Sequence, residues 1–320
     1  MANSDQIISL IKNHYDGKPE QFSTLALQIA AHEARLGHNV IATEIRKAVD
    51  KNKFIRPAKL NFLNPALGEM VFEEEPQYDL GDLVLREEVK ERITRIVTEY
   101  MQRERLLRHH LQNRRKILLG GPSGTGKTMT ASVIAHEIEL PLYIIRMEKI
   151  LTKFMGETST KLGQIFELIA SHPGVYLFDE FDAIGTQRGM DNEVGEMRRV
   201  LNSFLQFIER DTSDSLILAA TNNLEMLDQA LFRRFDDVIR YALPTDEEKT
   251  RLLQTELGKQ LDAKEIESLV LCLDGLSHSE IKMACMDALK EAIISSKPIS
   301  LKLVRQSIDY RKEVYRTVAS

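Results

Sequence analysis

Cysteine is scarce in this chain, and the pattern of the two that are present excludes several kinds of site. Cys272 and Cys285 form no C-x-x-C pair and have no accompanying pair of histidines. Neither a disulfide framework nor a zinc site is therefore indicated. Such use of cysteine is typical of a reducing compartment, and we expect a cytoplasmic protein.

Long apolar runs and an excess of basic charge are also missing. No apolar run reaches the roughly eighteen residues that a membrane-spanning helix needs, and residues 1–15 lack the pattern of a secretory signal. We therefore expect no membrane insertion. The net charge of −5 gives no general reason to expect a nucleic-acid partner. With 43% hydrophobic residues among 320, the chain is long enough for two or three globular domains.

Glycine is concentrated in one segment with a clear chemical use. Gly121-Pro122-Ser123-Gly124-Thr125-Gly126-Lys127-Thr128 matches the pattern G-x-x-x-x-G-K-[ST], between a predicted strand at 116–119 and a predicted helix at 129–138. The glycines let backbone N–H groups turn toward phosphate oxygens, and the helix N-terminus favours the same anion. We expect this segment to bind ATP, with Lys127 at the β- and γ-phosphates and Thr128 on Mg²⁺. A glycine-rich turn that binds nothing would need neither side chain.

The region before this loop divides into two parts. Apolar residues recur at helical spacing in three stretches, which predicts an N-terminal helical bundle over residues 1–52. Because about fifty residues make a marginal core, we expect this domain to lean on a neighbour or to bind an adaptor or effector protein. His32 and His38 are six residues apart, so their rings point to different helix faces and cannot share a metal. Residues 53–79, interrupted by prolines and three consecutive glutamates, predict a linker or extended arm.

A long charged helix is predicted over residues 82–110. The chain then becomes strongly basic, and the basic residues are Arg103, Arg105, Arg108, His109, His110, Arg114, Arg115 and Lys116. One interpretation is a surface that faces phosphate groups. The other, which is the usual role of charge runs on helices, is a solvated face interleaved with Glu99 and Glu104.

Strands and helices alternate after the phosphate loop. Strands are predicted at 142–145, 174–178, 215–220 and 237–241, and helices at 160–170, 194–208 and 227–231. This order predicts an α/β domain over residues 80–243, with a parallel sheet, helices on both faces, and a ligand beyond the carboxyl ends of the strands. Residues 244–320 become helical and contain two capping-box patterns, Thr245 with Glu248 and Ser277 with Glu280. We expect a small helical lid domain there.

The strand predicted at 174–178 leads directly into Asp179 and Glu180. Four apolar residues place these two carboxylates at the mouth of the sheet, about fifty residues after the phosphate loop. Carboxylate oxygen is a preferred ligand of Mg²⁺, so we expect Asp179 to hold the metal directly or through water. Glu180 is expected to orient and deprotonate the attacking water.

These motifs together resemble the AAA+ ATPases, a P-loop NTPase family, over roughly residues 80 to 315. Leu218-Ala219-Ala220-Thr221-Asn222-Asn223 is similar to the sensor-1 strand of that family. The resemblance implies that Asn222 lies between the γ-phosphate and the hydrolytic water. It is strongest with the single-module, katanin-like type of AAA ATPase.

Residues 227–236 resemble the segment that carries the arginine fingers of these ATPases. The resemblance implies that Arg233 and Arg234 act on the nucleotide of a neighbouring subunit. The two arginines are adjacent here, as in the microtubule-severing and membrane-remodelling branch, rather than spaced as Arg-Pro-Gly-Arg. Which arginine acts therefore stays open. The alternative is a surface ion-pair cluster with Asp236 and Asp237.

Substrate contact is implied by a further similarity. Lys153-Phe154-Met155-Gly156-Glu157-Thr158 resembles the pore-1 loop, in which an aromatic and an aliphatic residue grip a polypeptide in the channel of a ring. Phe154 and Met155 can pack against many side chains without demanding one sequence. Residues 185–195 stand where a second pore loop is expected. A buried loop phenylalanine is the alternative for Phe154.

The lid segment departs from the family pattern. His278 and Ser279 stand where the family has Gly-Ala, and no arginine occupies the sensor-2 position. His278 is expected to approach the adenine, with a surface histidine as the alternative. Any cation acting in trans must then come from Arg233 or Arg234.

The resemblance implies a ring-forming ATPase, expected to be a hexamer of identical chains, that remodels, unfolds or disassembles polypeptides with ATP and Mg²⁺. One alternative is an ATPase acting on nucleic acid or nucleoprotein, which is supported only by the basic residues between 103 and 116. Another is support of a separate protease or effector. A third is a scaffold that binds ATP without hydrolysing it, against which both Glu180 and Asn222 argue.

Overall fold

The chain forms two compact units, residues 1–61 and 62–320. The computed structural model describes residues 9, 10, 12, 19–35, 38, 41–45, 65–153, 157–185, 191–258 and 260–318. In the first unit, helix α1 (Pro19–Arg35) starts with a proline, which is favoured in the first helical turn. Residues 41–45 are also helical, whereas most of the first predicted helix lies outside the described residues. His38 contacts Glu33, with Nδ1 and Oε2 2.6 Å apart.

The larger unit contains a six-stranded sheet. Its strands are β1 (Val71–Glu74), β2 (Lys116–Gly120), β3 (Leu142–Arg146), β4 (Val175–Asp179), β5 (Leu216–Thr221) and β6 (Asp237–Arg240). They lie in the order β1-β3-β4-β5-β2-β6, and all neighbours are parallel except β1, which is antiparallel to β3. The predicted α/β class with a parallel sheet is confirmed.

Helices connect the strands and cover both faces of the sheet. They are α2 (Pro65–Gly68), α3 (Glu87–Met101), α4 (Arg103–Arg108), α5 (Lys127–Glu137), α6 (Met147–Lys153), α7 (Thr158–Ser171), α8 (Asp182–Gly185), α9 (Asp191–Arg210) and α10 (Gln229–Phe232). Every residue of β5 is buried, as expected for a strand covered on both sides. Leu177 packs in the cluster formed with α3 and α5. The adjacent Phe178 faces the other side and packs on Phe166 and Phe204.

Two predictions about the region before the phosphate loop need correction. The single helix predicted over 82–110 is two helices, α3 and α4, separated at Gln102. Residues 83–86 precede α3 without helical structure, because Leu83 and Leu85 are buried in the core under the sheet. The predicted linker 53–79 contains α2 and β1. Its acidic residues Glu73 and Glu74 are exposed on an edge strand, where charge discourages pairing with another chain.

The C-terminal part of the larger unit is helical. It consists of α11 (Asp246–Leu257), α12 (Ala263–Val270), α13 (His278–Ile294) and α14 (Leu301–Val318). Both predicted capping boxes are present, at Thr245 and at Ser277. These helices enclose a separate apolar cluster around Leu253, Ile281 and Ile308. No helix in the described ranges is long and apolar enough to cross a membrane.

A buried hydrogen bond joins the end of the sheet to α5 and yields a prediction. The hydroxyl of Tyr241 donates to Thr130 Oγ1 at 2.8 Å, and Thr130 Oγ1 donates to the Gly126 carbonyl at 3.0 Å. Tyr241→Phe removes the first bond, so the free energy of unfolding should fall by about 1 kcal/mol. Urea denaturation followed by circular dichroism measures it. Tyr78→Phe, at a residue that is 37% exposed, is the matched control. An equal loss in both variants would contradict the prediction.

Candidate active site

The phosphate loop leaves β2 at the carboxyl edge of the sheet and runs into α5. Gly121, Gly124 and Gly126 have φ angles of 150°, 73° and 98°, a region that side chains strongly disfavour. A Cβ on Gly121 would lie 2.3 Å from the carbonyl oxygen of Tyr241, the residue after β6, so this close approach also requires glycine. The loop therefore holds its shape through residues that admit little substitution.

Lys127 is the first residue of α5, and its ammonium group points back into the loop. Nζ donates to the carbonyls of Gly121 (2.6 Å) and Pro122 (2.9 Å) and to Asn222 Oδ1 (2.9 Å). The residue is only 7% exposed. Burial lowers its pKa, and the negative charges of Asp179 and Asp182 oppose that shift. The site thus holds a cation directed at the place where phosphate is expected.

Thr128 and Asp179 form the candidate metal site. Thr128 Oγ1 donates to Asp179 Oδ2 at 3.4 Å, which brings a hydroxyl and a carboxylate together beyond β4. Hard oxygen donors of this kind fit Mg²⁺. The described residues contain no group of three or more His, Cys, Asp or Glu side chains arranged around a metal. Mg²⁺ usually takes several of its ligands from phosphate and water.

Glu180 follows Asp179 in a strained backbone conformation. Its φ is 55°, uncommon for a residue with a side chain, and strain of this kind occurs at functional sites. Hydrogen bonds hold it on either side: Asp179 Oδ1 accepts from the Glu180 N–H at 2.9 Å, and the Phe181 N–H donates to the Ala220 carbonyl at 2.8 Å.

The electrostatic surroundings of Glu180 suit a general base. Burial raises its pKa, and the neighbouring carboxylates of Glu148 and Asp179 raise it further, while Arg146 acts in the opposite direction. A carboxylate with a raised pKa accepts a proton more readily than an ordinary glutamate. Glu180 is therefore a suitable group to take a proton from water.

Asn222 reaches the same place from the end of β5. Its side chain accepts from Lys127, and its backbone N–H donates to Asp182 Oδ1 at 3.2 Å. Asp182 is a residue that the sequence analysis missed. Its signal was present, since it lies only two residues after Glu180 and so repeats the carboxylate at the strand end.

The lid contacts the phosphate loop directly. The Ser279 N–H, in the first turn of α13, donates to the Gly124 carbonyl at 3.0 Å. A Cβ on Gly124 would be 2.5 Å from Ser277 Oγ. Between these serines, both ring nitrogens of His278 are buried without a hydrogen-bond partner in the described part of the chain, and burial lowers its pKa. His278 is thus a half-buried residue beside the loop, and the alternative of a freely exposed surface histidine does not describe it.

Comparisons with known proteins agree with this architecture. The profile of the family described as "ATPase family associated with various cellular activities (AAA)" matches residues 117–243. An uncharacterized AAA family ATPase of Sinorhizobium fredii, y4kL, is 32% identical over 300 residues, 92% of this chain and 90% of the relative. The chain belongs to the AAA family of ATPases. ATP binding and hydrolysis follow from that membership.

Two further proteins are similar to this AAA ATPase. A proteasome-activating nucleotidase of Methanosphaerula palustris is 32% identical over 204 residues, which is 60% of this chain and 49% of that protein. The crystal structure of the FIGL-1 AAA domain superimposes with a TM-score of 0.63 at 20% identity, covering 82% of this chain and 97% of that one. The second comparison concerns the fold alone.

The two predicted arginine fingers of this AAA ATPase follow α10. Asp236 accepts from the N–H groups of Arg115 and Lys116, and Asp237 pairs with Arg92 and Arg114. The ion-pair cluster of the arginines with these two aspartates is therefore not formed.

Arg233 and Arg234 differ in their surroundings. Arg234 Nε lies 3.4 Å from Glu209 Oε2. Arg233 is exposed, and it makes no ion pair with any described residue. The guanidinium of Arg233 is thus available to a group outside this chain.

The predicted substrate-contact residues Phe154 and Met155 lie outside the described residues, between α6 and α7. The same holds for residues 186–190 of the predicted second pore loop. Both loops remain predictions from the sequence.

The geometry predicts that binding and hydrolysis separate in two variants. Lys127→Ala removes the cation directed at the phosphates and should abolish ATP binding. Glu180→Gln keeps the shape of the side chain but cannot take a proton, so it should bind ATP while turnover falls by at least about a hundredfold. Titration with a fluorescent ATP analogue, beside phosphate release, measures both. Near wild-type hydrolysis by Glu180→Gln would remove Glu180 from the mechanism.

Proposed function

We propose that this AAA ATPase uses hydrolysis to remodel, unfold or disassemble protein substrates, which it threads through the central pore of a cytoplasmic, hexameric ring. Lys127 binds the β- and γ-phosphates. Thr128 and Asp179 would hold Mg²⁺, which would supply positive charge to offset that of the phosphates. Glu180 takes the proton of the attacking water, and Asn222 orients that water against the γ-phosphate. The hydrogen bond between Lys127 and Asn222 supports these roles, because it brings the ammonium group that binds phosphate next to the amide that orients the water.

The ring assignment rests mainly on Arg233. Phosphoryl transfer gains from a guanidinium that offsets charge on the transferring group. The first turn of the lid helix α13 carries no arginine, and its nearest lysine, Lys282, pairs with Glu256 at 3.4 Å. Arg233 is exposed and has no ion-pair partner among the described residues. A neighbouring subunit that contributes this arginine would complete the site.

A mixing experiment tests the contribution in trans. Arg233→Ala and Arg234→Ala subunits keep intact phosphate loops but lose a finger, whereas Lys127→Ala subunits keep their fingers. Each variant alone should be nearly inactive, and mixing should restore activity, since each supplies what the other lacks. ATPase rate against mixing ratio is the measurement. No recovery, together with activity independent of protein concentration, would exclude the arrangement.

His278 and the N-terminal unit complete the proposal. His278 approaches the adenine, and its two unpartnered ring nitrogens beside the loop support a polar ligand at that place. The N-terminal unit, residues 1–61, is the candidate site for an adaptor or effector protein.

A polypeptide substrate is favoured over nucleic acid, because several residues of the basic run at 103–116 make contacts within the protein. Arg103 stacks on Tyr100, Arg115 pairs with Asp211 at 2.7 Å, and Lys116 donates to the Asp211 carbonyl. Arg114 pairs with Asp237 as well, so four of the eight residues in the predicted basic run make contacts within the fold. Arg105 and Arg108 remain exposed, and they keep a nucleic-acid or nucleoprotein target as the alternative. The proteasome-activating nucleotidase among the relatives supports a protein target and a separate protease partner.

Traction on the substrate and ATP hydrolysis should separate at Phe154. Phe154→Ala should leave basal hydrolysis within about twofold of wild type, while unfolding of a tagged model protein is lost. The reason is that the phenyl group of Phe154 grips the substrate polypeptide and takes no part in ATP hydrolysis. ATPase rate and substrate unfolding are measured together. A different result would falsify the protein-remodelling proposal: hydrolysis is stimulated by nucleic acid but not by protein, and the stimulation depends on salt. In that case the double variant Arg105→Glu, Arg108→Glu should lose the stimulation, and Phe154→Ala should keep it.

A further inference from the structure

The edge strand β1 contains an aromatic residue, Phe72, on the face of the sheet that also carries Asp179 of the candidate metal site. Phe72 pairs in register with Ile144 of β3, and Arg146, two residues further on, pairs with Asp179 of β4. Register partners on neighbouring strands share one face of a sheet, as do residues two apart on one strand. Phe72, Arg146 and Asp179 therefore lie on the same face. Leu177 and Ile144 place that face against α5, the helix that follows the phosphate loop.

The Phe72 ring holds two cations. The guanidinium carbon of Arg146 is 5.7 Å from the ring centroid, and the Lys149 ammonium is 4.7 Å from it. Both distances are within the range of cation–π attraction. Phe72 is 37% exposed, so its ring is not enclosed in the core and is accessible to these two cations.

Arg146 would otherwise have a competing partner. Neighbouring strands are about 4.8 Å apart, and an arginine side chain easily spans that distance to form a charge-assisted bond with a carboxylate. Arg146 makes no ion pair with a described residue, although its positive charge acts on the neighbouring Glu180 carboxylate. Asp179 is engaged by Thr128 and by the Glu180 N–H. The guanidinium is on the aromatic ring and not on the carboxylate.

We propose that Phe72 is a positioning residue for the ATPase site: its ring keeps the Arg146 guanidinium beside Asp179 but off its oxygens, so that the carboxylate stays free for Mg²⁺. This inference rests on the proposed metal role of Asp179. Without the ring, the cation pairs with Asp179 and competes with the metal.

The test compares Mg²⁺ binding in full-length variants and needs no hydrolysis. The measured quantity is the Mg²⁺ concentration that gives half of the metal-dependent gain in affinity for a fluorescent ATP analogue, with EDTA as the metal-free reference. Phe72→Leu keeps apolar volume but loses the π face, and it should raise that concentration about two- to fivefold. Phe72→Tyr keeps the face and should match wild type. Tyr78→Leu, an equally exposed aromatic elsewhere, should also match.

Double variants separate positioning from a general structural role. In an Arg146→Gln background, Phe72→Leu should have no further effect, because the competing cation is gone. In a Lys149→Gln background, which removes the other ring cation, its effect should persist. If Phe72→Leu binds Mg²⁺ like wild type, or if its defect survives in the Arg146→Gln background as a folding defect would, the inference is wrong.

Asp179→Asn distinguishes failure of the inference from failure of the proposed site. This variant should weaken Mg²⁺ binding by more than Phe72→Leu does. If Asp179→Asn has no effect, the metal role of Asp179 and the inference are both overturned. If Asp179→Asn is defective and Phe72→Leu is not, only the inference fails.

Discussion

The buried ammonium of Lys127 is the interaction on which the site depends. A nearly inaccessible cation is stable only if oxygen atoms surround it, and here they come from two loop carbonyls and from Asn222 at the end of another strand. The loop must turn for its carbonyls to face inward, which explains the glycines. Strands β2 and β5 must end side by side, which explains why they pair directly in the sheet. Binding of a phosphate would give this cation an anionic partner.

The ends of β4 and β5 are joined by bonds that lie outside the sheet ladder. The Phe181 N–H reaches back to β5, and Asp182 accepts from Asn222. Glu180 directly precedes these two bonded residues and has a left-handed backbone, a conformation that tends to persist only where the surroundings determine it. These bonds therefore tie the backbone that follows the proposed base to the strand that leads to the proposed water-orienting amide.

Two elements outside the parallel sheet converge on the same loop and strand ends. The lid helix α13 contacts Gly124 through its capped N-terminus, so a side chain at position 124 would collide with Ser277. On the other side, β1 adds Phe72 next to Arg146 and Lys149. Phe72 precedes the phosphate loop by about fifty residues, yet it contacts Arg146, the register partner of Asp179.

The parts of the fold and the site that depend on local chemistry could be predicted from the amino-acid sequence. The phosphate loop, the strand that delivers Asp179 and Glu180, and the capping boxes were all predictable, because glycine turns, apolar runs and caps act within a few residues. Local signals said nothing of β1, whose short acidic segment becomes a strand only by pairing with β3. They also could not predict the hydrogen bonds of Arg115 and Lys116 to Asp211, or the one from Asn222 to Asp182, since these partners are distant in sequence. These features depend on the folded chain, because strand pairing and the burial of a charge both require partners that are far apart in the sequence.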